Sequence, residues 1–260
     1  MLPFITLFGR ALPTYTILGL LGIVLAVFVV SLRAKRYGFV RSDAVYIAAF
    51  AGLGLVAGGV LLHALTQMPH MLRASVPLFS RAALAYLFGG MVFYGGLFGT
   101  FGGLWFYARF MKAPLGRVMA LVVPVFPLAH AVMRVGCFMG GCCYGIPHPP
   151  PLGIAFSQSL GAPNGVHLLP VQLYEAAANL LLFWGIWRYT AKERDWVYII
   201  CLYGTAYGVL RFCLEFLRGD LARGIFWGLS TSQWISIVVL VLSIGGWYLR
   251  AKTISKGKVT

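Results

Sequence analysis

The chain has 260 residues, of which 60% are hydrophobic and only 10% charged, with 21 Lys and Arg against 6 Asp and Glu for a formal charge of +15. So few charges cannot coat a water-exposed surface of this size, which excludes an ordinary soluble domain. Nor is the basic excess that of a nucleic-acid binder, which gathers its bases on one solvated face; here they fall between long apolar runs, so the expected partner is a membrane and no nucleic acid.

Seven apolar runs follow one another near 14–33, 44–66, 84–108, 118–138, 171–190, 196–217 and 232–249. Each approaches the roughly 20 residues a helix needs to cross a bilayer. They are continuous rather than alternating and far longer than the roughly 10 residues of a barrel strand. Inside lipid a helix satisfies its own backbone within one segment. The spacing therefore predicts an all-α, polytopic integral membrane protein with seven transmembrane helices, forming a single membrane domain over residues 1–260. The first run lacks a charged n-region and exceeds a signal-peptide core in length, so it is expected to remain as a helix.

Between the runs, the bases are unevenly placed. Arg33, Lys35, Arg36 and Arg41 follow the first; Arg109, Lys112 and Arg117 the third; Arg188, Lys192 and Arg194 the fifth; Arg250, Lys252, Lys256 and Lys258 the last. Only Arg10, Arg73, Arg81, Arg218 and Arg223 lie on the other side. The positive-inside rule then puts the N-terminus outside and the C-terminus in the cytoplasm. The longest connection, about 140–169, carries Pro147, Pro149, Pro150, Pro151 and Pro163 and no Lys, Arg, Asp or Glu. It is expected outside, on or in the membrane interface. Ser255 to Thr260 are expected to fray.

Polar groups at membrane depth point to function. Arg211, Glu215 and Arg218 are spaced four and three apart, which predicts one shared helical face. An intrahelical ion pair at Glu215 is the plain reading, and it leaves one guanidinium over, suited to fork two donors toward a phosphate. The fourth run ends Arg134-Val-Gly-Cys-Phe-Met-Gly-Gly-Cys-Cys-Tyr-Gly145, three thiols and four glycines after an intramembrane arginine. These small residues read either as a packing surface or as a helix break beside a cavity. The glycines of the third run carry the same two readings, and Gly96-x-x-Gly99-x-x-Gly102 has no preceding strand to make it a phosphate loop.

Cys201 and Cys213 read as small hydrophobes. Cys137, Cys142 and Cys143 fall at an outward helix end, where a disulfide is chemically open, although a vicinal one is strained. Zinc would want a fourth ligand such as His148 or His167, and C-x4-C-C fits no standard zinc spacing, so no metal and no cofactor are expected. A haem- or quinone-linked protein would have to use the lone His63 and His130. A channel or transporter finds no inverted repeat or paired acids in support.

Taken together, the motifs resemble those of the prolipoprotein diacylglyceryl transferase family. Tyr15 with Gly22 is similar to its first-helix Tyr-x6-Gly, and Gly89-Gly-Met-Val-Phe-Tyr-Gly-Gly-Leu-Phe-Gly99 to its glycine-rich helix. Arg134-x-Gly136, Phe138 and Gly145 match its signature box, and Pro170-x-Gln-Leu-Tyr-Glu175 its Pro-Ser-Gln-Leu-Tyr-Glu segment. Arg211-x3-Glu-Phe-x-Arg218 and Leu229-Ser-x2-Gln-Trp-x-Ser236 match its last two motifs. The likeness runs nearly end to end. The departures are Tyr94 for the family's His, Cys137 and Gly140 for two Asn, Cys142 for Glu, Leu169 for a second His and Val171 for Ser.

The resemblance implies a multi-pass enzyme of the bacterial inner membrane. It would move diacylglyceryl from phosphatidylglycerol, or a similar anionic phospholipid, to the lipobox cysteine at a prolipoprotein signal peptide. It implies catalytic roles at Tyr94, Arg134, Arg211 and Cys142, and substrate-binding roles at Tyr15, Cys137, Gln172, Tyr174, Glu175, Glu215 and Arg218. Glu175 would position Arg134 or Tyr174. The Tyr94 phenol is a poorer base near neutrality than an imidazole, and its plain reading is a packed aromatic. The substituted polar positions leave open a diverged member using Cys142 or Cys137 as nucleophile or redox centre on another lipid or a small sulfur compound, or a non-catalytic membrane protein.

Overall fold

The computed structural model describes residues 1–7, 9–77, 80–220 and 225–257, with the side chains of Leu7, Phe93 and Tyr94 outside the description. Arg223 and Lys258 to Thr260 lie outside the described residues. The chain is mostly helical and divides into two compact units, Met1–Val30 with Ala120–Thr260, and Ser31–Met119.

The larger unit opens on a hairpin, β1 (Phe4–Leu7) and β2 (Arg10–Pro13), which feeds α1 (Thr14–Ala34). The apolar pattern of the first run gave no sign of this hairpin, because four-residue strands carry too few alternations to read. In α1, Leu20, Val24 and Phe28, four apart, are each more than half exposed. An apolar stripe open to this degree suits lipid and not water.

Two further helices, α5 (Leu115–Val122) and α6 (Phe126–Gly140), occupy the fourth run, joined by a 3-10 turn at Val123–Val125. Pro124 and Pro127 remove two backbone donors there, which is why one predicted helix becomes two. α7 (Val171–Tyr189), α8 (Trp196–Glu215) and α9 (Thr231–Gly257) follow, with α6 on α7, α7 on α8 and α8 on α9. Helix α9 continues through Gly257, so Ser255 is helical rather than frayed.

The 141–170 connection is folded. A short hairpin, β3 (Ile154–Ala155) with β4 (His167–Leu168), closes over Phe156, Ala162 and Leu168, against which Phe138 and Tyr144 pack. Tyr144–His148 is sandwiched between two other segments. It bonds to 167–169 through Gly145 N to Leu169 O (3.0 Å) and His148 N to His167 O (3.0 Å), and to 217–219 through Ile146 N to Leu217 O (2.9 Å). A last hairpin, β5 (Ile225–Phe226) with β6 (Leu229–Ser230), leads into α9. There Ser230 N donates to Gln233 Oε1 (2.9 Å) and Gln233 N donates to Ser230 Oγ (3.2 Å). This reciprocal capping box gives the Leu229-Ser-x2-Gln motif a structural role at the start of the helix.

The smaller unit holds α2 (Asp43–Arg73), α3 (Arg81–Phe88) and α4 (Phe93–Phe110). The third run is broken, not continuous. Gly89 and Gly90 end α3, Val92 is extended (φ −98°, ψ 125°), and its N–H is met by Gly59 O at 3.0 Å. Helix α4 lies against α2 at backbone distance. A Cβ at Gly95 would collide with Gly58 O, one at Gly99 with Gly54 O, and one at Gly103 with Phe50 O. Gly96-x-x-Gly99-x-x-Gly102 lies inside this helix, so the phosphate-loop reading is excluded and the packing reading holds for Gly99.

Among the described residues, five helical stretches are long and apolar enough to cross a membrane: Thr14–Tyr37, Asp43–Arg73, Leu115–Gly140, Trp196–Glu215 and Thr231–Lys256. Helices α4 and α7, of 18 and 19 residues, are not among them. Helix α7 carries the polar Gln172, Glu175 and Asn179 on its buried side.

Candidate functional site

At the end of α6 the chain reverses through Gly141 (φ 73°), and Cys143 is itself left-handed (φ 60°). These two residues turn the following thiols back toward the helix. The Sγ atoms of Cys137, Cys142 and Cys143 all lie within 4.8 Å of one another. All three are free thiols, Cys142 exposed and the other two half-buried. Hydrogen bonds from the Cys137 and Cys142 thiols, with the nearby Arg218 and Arg134 cations, pull the Cys143 thiol far below the ordinary cysteine range. The same thiol–thiol bonds, to Cys137 and Cys143, together with burial, push Cys142 up.

One turn earlier on α6 stand His130 and Arg134. Arg134 Nη2 lies 3.1 Å from Glu175 Oε1 of α7. Its Nε donates to His130 Nε2 at 3.1 Å, leaving Nδ1 as that ring's donor. Tyr207 of α8 donates to Glu175 Oε1 at 3.3 Å. Glu175 is only 1% exposed, and a carboxylate so buried is tolerated only when paired and bonded. Three helices therefore meet on one carboxylate, and Tyr207 lies in the fields of both Arg134 and Arg211.

Arg211 Nη2 is 2.8 Å from Glu215 Oε2, the i,i+4 ion pair expected from spacing, and donates to Ser232 Oγ of α9 at 3.1 Å. Among the described residues its Nη1 is buried without a hydrogen-bond partner. An unmet donor on a charged group costs free energy, and Arg211 shares with Arg134 the electrostatic surroundings of His130 and Tyr207. Arg218 departs from expectation. Helix α8 ends at Glu215, so Arg218 is not on a helical face with Arg211. It sits in the segment bridged to Gly145 and makes a bidentate pair with Asp220, Nε to Oδ1 at 3.2 Å and Nη2 to Oδ2 at 2.9 Å. Asp220 thus balances the charge that sequence spacing had left over.

The model of the prolipoprotein diacylglyceryl transferase family matches residues 3–249 of this chain. The chain belongs to that family. It is 34% identical over 239 residues, 92% of its length and 93% of the relative's, to the phosphatidylglycerol–prolipoprotein diacylglyceryl transferase of Clostridium tetani. It is 30% identical over 240 residues, 90% of each chain, to a second enzyme of that name from Clostridium perfringens. With the Bordetella bronchiseptica enzyme it shares 34% over 209 residues, 77% of this chain and 74% of that one.

The transferase family's motifs acquire physical roles in this geometry. Gly22 and Gly136 seat α1 on α6: a Cβ at Gly22 would stand 3.1 Å from Ala129 O, and one at Gly136 3.1 Å from the Tyr15 Cα. Tyr15 is thereby fixed two residues from Arg134, with its side chain 51% exposed. Gln172 Nε2 donates to Cys142 O at 2.7 Å, so this buried residue of the Pro-x-Gln-Leu-Tyr-Glu segment clamps the thiol turn. Among the described residues its Oε1 has no hydrogen-bond partner. Tyr174 packs instead on the apolar cluster of Leu169, Val171 and Leu214, and Glu175 engages Arg134 rather than Tyr174. Tyr94 belongs to the first turn of α4 in the smaller unit, and its side chain lies outside the described residues.

Sequence reading missed four participants. Tyr207, Ser232 and Asp220 gave no motif signal, and His130 was weighed only as a haem ligand. For His130 and Arg134 the i,i+4 spacing was available as a cue. A groove of about 410 Å³ lined by Leu202, Thr205, Ile244, Trp247, Tyr248 and Ala251 lies toward the other end of α8 and carries none of these groups.

Proposed function

We propose that this chain transfers a diacylglyceryl group from phosphatidylglycerol to the thiol of a prolipoprotein lipobox cysteine. The observation that carries the reading is the meeting of Arg134 and Arg211 around Glu175, His130 and Tyr207, with the Arg211 Nη1 donor unmet. In the reaction, the acceptor sulfur attacks the glycerol carbon, that carbon's bond to phosphate oxygen breaks, and glycerol phosphate leaves. The proton lost by the thiol balances that gained by the departing phosphate. The barrier lies in holding the two reactants in line and in neutralising the phosphate as it departs.

Arg134 and Arg211 take the headgroup phosphate, their donors matching its oxygens, while Arg218, its fork held by Asp220, supports the thiol turn beside them. Tyr15 and Gln172 orient the headgroup, while Glu175 and Glu215 hold the arginines in place. Tyr174 shapes the apolar wall beside them. Tyr94 stands in the sequence where the family has His; Cys137 and Cys142 line the turn against the glycerol. The partners are an anionic phospholipid and the signal peptide of a prolipoprotein, with no cofactor.

The setting is the bacterial inner membrane. We read α4 and α7 as two further spans beside the five apolar ones, giving seven, with the N-terminus outside, the C-terminus in the cytoplasm and the 141–170 loop at the outer face. The length of both helices and the basic residues at their ends, Arg109 and Arg188, support this. The whole chain then serves as one membrane domain.

Purified protein in phosphatidylglycerol vesicles is expected to lipidate a lipobox peptide, and Arg134→Ala to abolish it. Absence of transfer by the folded wild-type chain would overturn the reading. A second reading, in which a thiol of the 137–143 turn is the nucleophile, is favoured by the convergence of the three sulfurs. Full transfer by the Cys137, Cys142, Cys143 triple Ser variant would exclude it.

A further inference from the structure

We propose that Cys137, Cys142 and Cys143 form a three-sulfur site for a soft, thiophilic metal ion of the zinc, cadmium and monovalent copper class. The inference stands on the thiol turn alone and does not depend on the transferase reading.

Spacing along the chain argued against zinc because C-x4-C-C resembles no four-ligand pattern. Folding changes the question. The three Sγ atoms already lie within 4.8 Å of one another. An ion bound to three sulfurs at about 2.3 Å holds them about 4 Å apart, so side-chain adjustments of less than about 1 Å close the site. Soft thiolate ligands select this class of ion over magnesium or calcium.

The backbone that presents the sulfurs is held from several sides. Gln172 Nε2 bonds Cys142 O (2.7 Å), Ser159 Oγ bonds Gly141 O (3.1 Å), Leu160 N bonds Gly140 O (3.1 Å) and Ala162 N bonds Gly141 O (2.9 Å). Cys143 keeps a left-handed backbone, φ 60°, which a non-glycine residue sustains only where its surroundings dictate it. That strain returns the third sulfur to the other two, and in ordinary extended backbone adjacent side chains point apart. A disulfide would unite only two of the sulfurs, and the vicinal pair is poorly shaped for one. Arg134 and Arg218, within electrostatic reach of Cys143, offset the negative charge that three thiolates leave over around a single cation. The exposure of Cys142 gives an ion a route in.

The test uses the full chain in detergent, reduced and freed of metal. Titration with cadmium is expected to raise a thiolate-to-metal charge-transfer band that saturates at one equivalent and is displaced by zinc. Cys137→Ser, Cys142→Ser and Cys143→Ser should each weaken binding at least tenfold, and a Cys201→Ser, Cys213→Ser double variant should leave it unchanged. Should a variant fail to fold, reversible methylthiolation of the wild-type thiols should remove the band and reductant restore it. No band at one equivalent, or a band surviving in the triple Ser variant or after thiol blocking, would overturn the proposal.

Discussion

Arg134 Nη2 and Glu175 Oε1 lie 3.1 Å apart between α6 and α7, and the carboxylate is 1% exposed. Removing one partner of such a pair leaves an uncompensated charge in a low-dielectric interior, at a cost of about 3–5 kcal/mol. Glu175→Ala is therefore expected to lower the thermal unfolding temperature in detergent and to abolish lipid transfer. Tyr207→Phe, which removes one hydrogen bond of about 1 kcal/mol, should leave the fold intact and reduce transfer modestly. Wild-type stability in Glu175→Ala would contradict the pairing.

The contact of Gly136 with Tyr15 predicts a steric effect with a built-in control. A Cβ at Gly136 stands 3.1 Å from a backbone atom of α1, whereas one at Gly185 meets nothing within 4 Å. Gly136→Val is expected to destabilise by about 1–3 kcal/mol through overpacking. Gly185→Ala, in the open middle of α7, should be neutral or stabilising by about 0.5–1 kcal/mol. Thermal melts of the two variants decide whether α1 is seated on α6 as described.

In the smaller unit, Gly95 and Gly99 of α4 meet the backbone of α2 at Gly58 and Gly54. Gly95→Leu or Gly99→Leu forces two helices apart and should yield little folded protein by size-exclusion chromatography or protease resistance. Gly102→Ala, with no neighbour within 4 Å, should express normally.

Arg218 and Asp220 share a bidentate contact, Nε to Oδ1 at 3.2 Å and Nη2 to Oδ2 at 2.9 Å. Lysine keeps the charge but not the fork. Arg218→Lys is expected to lower transfer about tenfold while leaving the unfolding temperature within a few degrees of wild type, measured in parallel on one preparation.

The membrane character was legible in the sequence because periodicity and charge placement act over whole helices. The breaks were not, since Pro124 and Pro127 or Gly89 and Gly90 interrupt a run without lowering its apolarity. The arginines of the site stood out as charges in apolar surroundings, and Glu215 was paired to Arg211 by spacing alone. Arg218 was misplaced by the same reasoning, because three residues beyond a pair read as helix until the helix end is known. Tyr207, Ser232 and Asp220 were invisible for a different reason: they reach Glu175, Arg211 and Arg218 from other parts of the chain or round a turn, with no fixed offset. The thiol convergence depends on the φ of Gly141 and Cys143, which no spacing reveals.

The central claim is that the guanidiniums of Arg134 and Arg211 jointly hold a phospholipid head for transfer. Complementation of a bacterial strain depleted of its own diacylglyceryl transferase tests it most directly. The wild-type chain should restore growth and lipoprotein processing, and Arg134→Ala and Arg211→Ala, present in the membrane at wild-type levels, should not. Failure of the folded wild-type chain to rescue, or rescue by either arginine variant, would contradict the account.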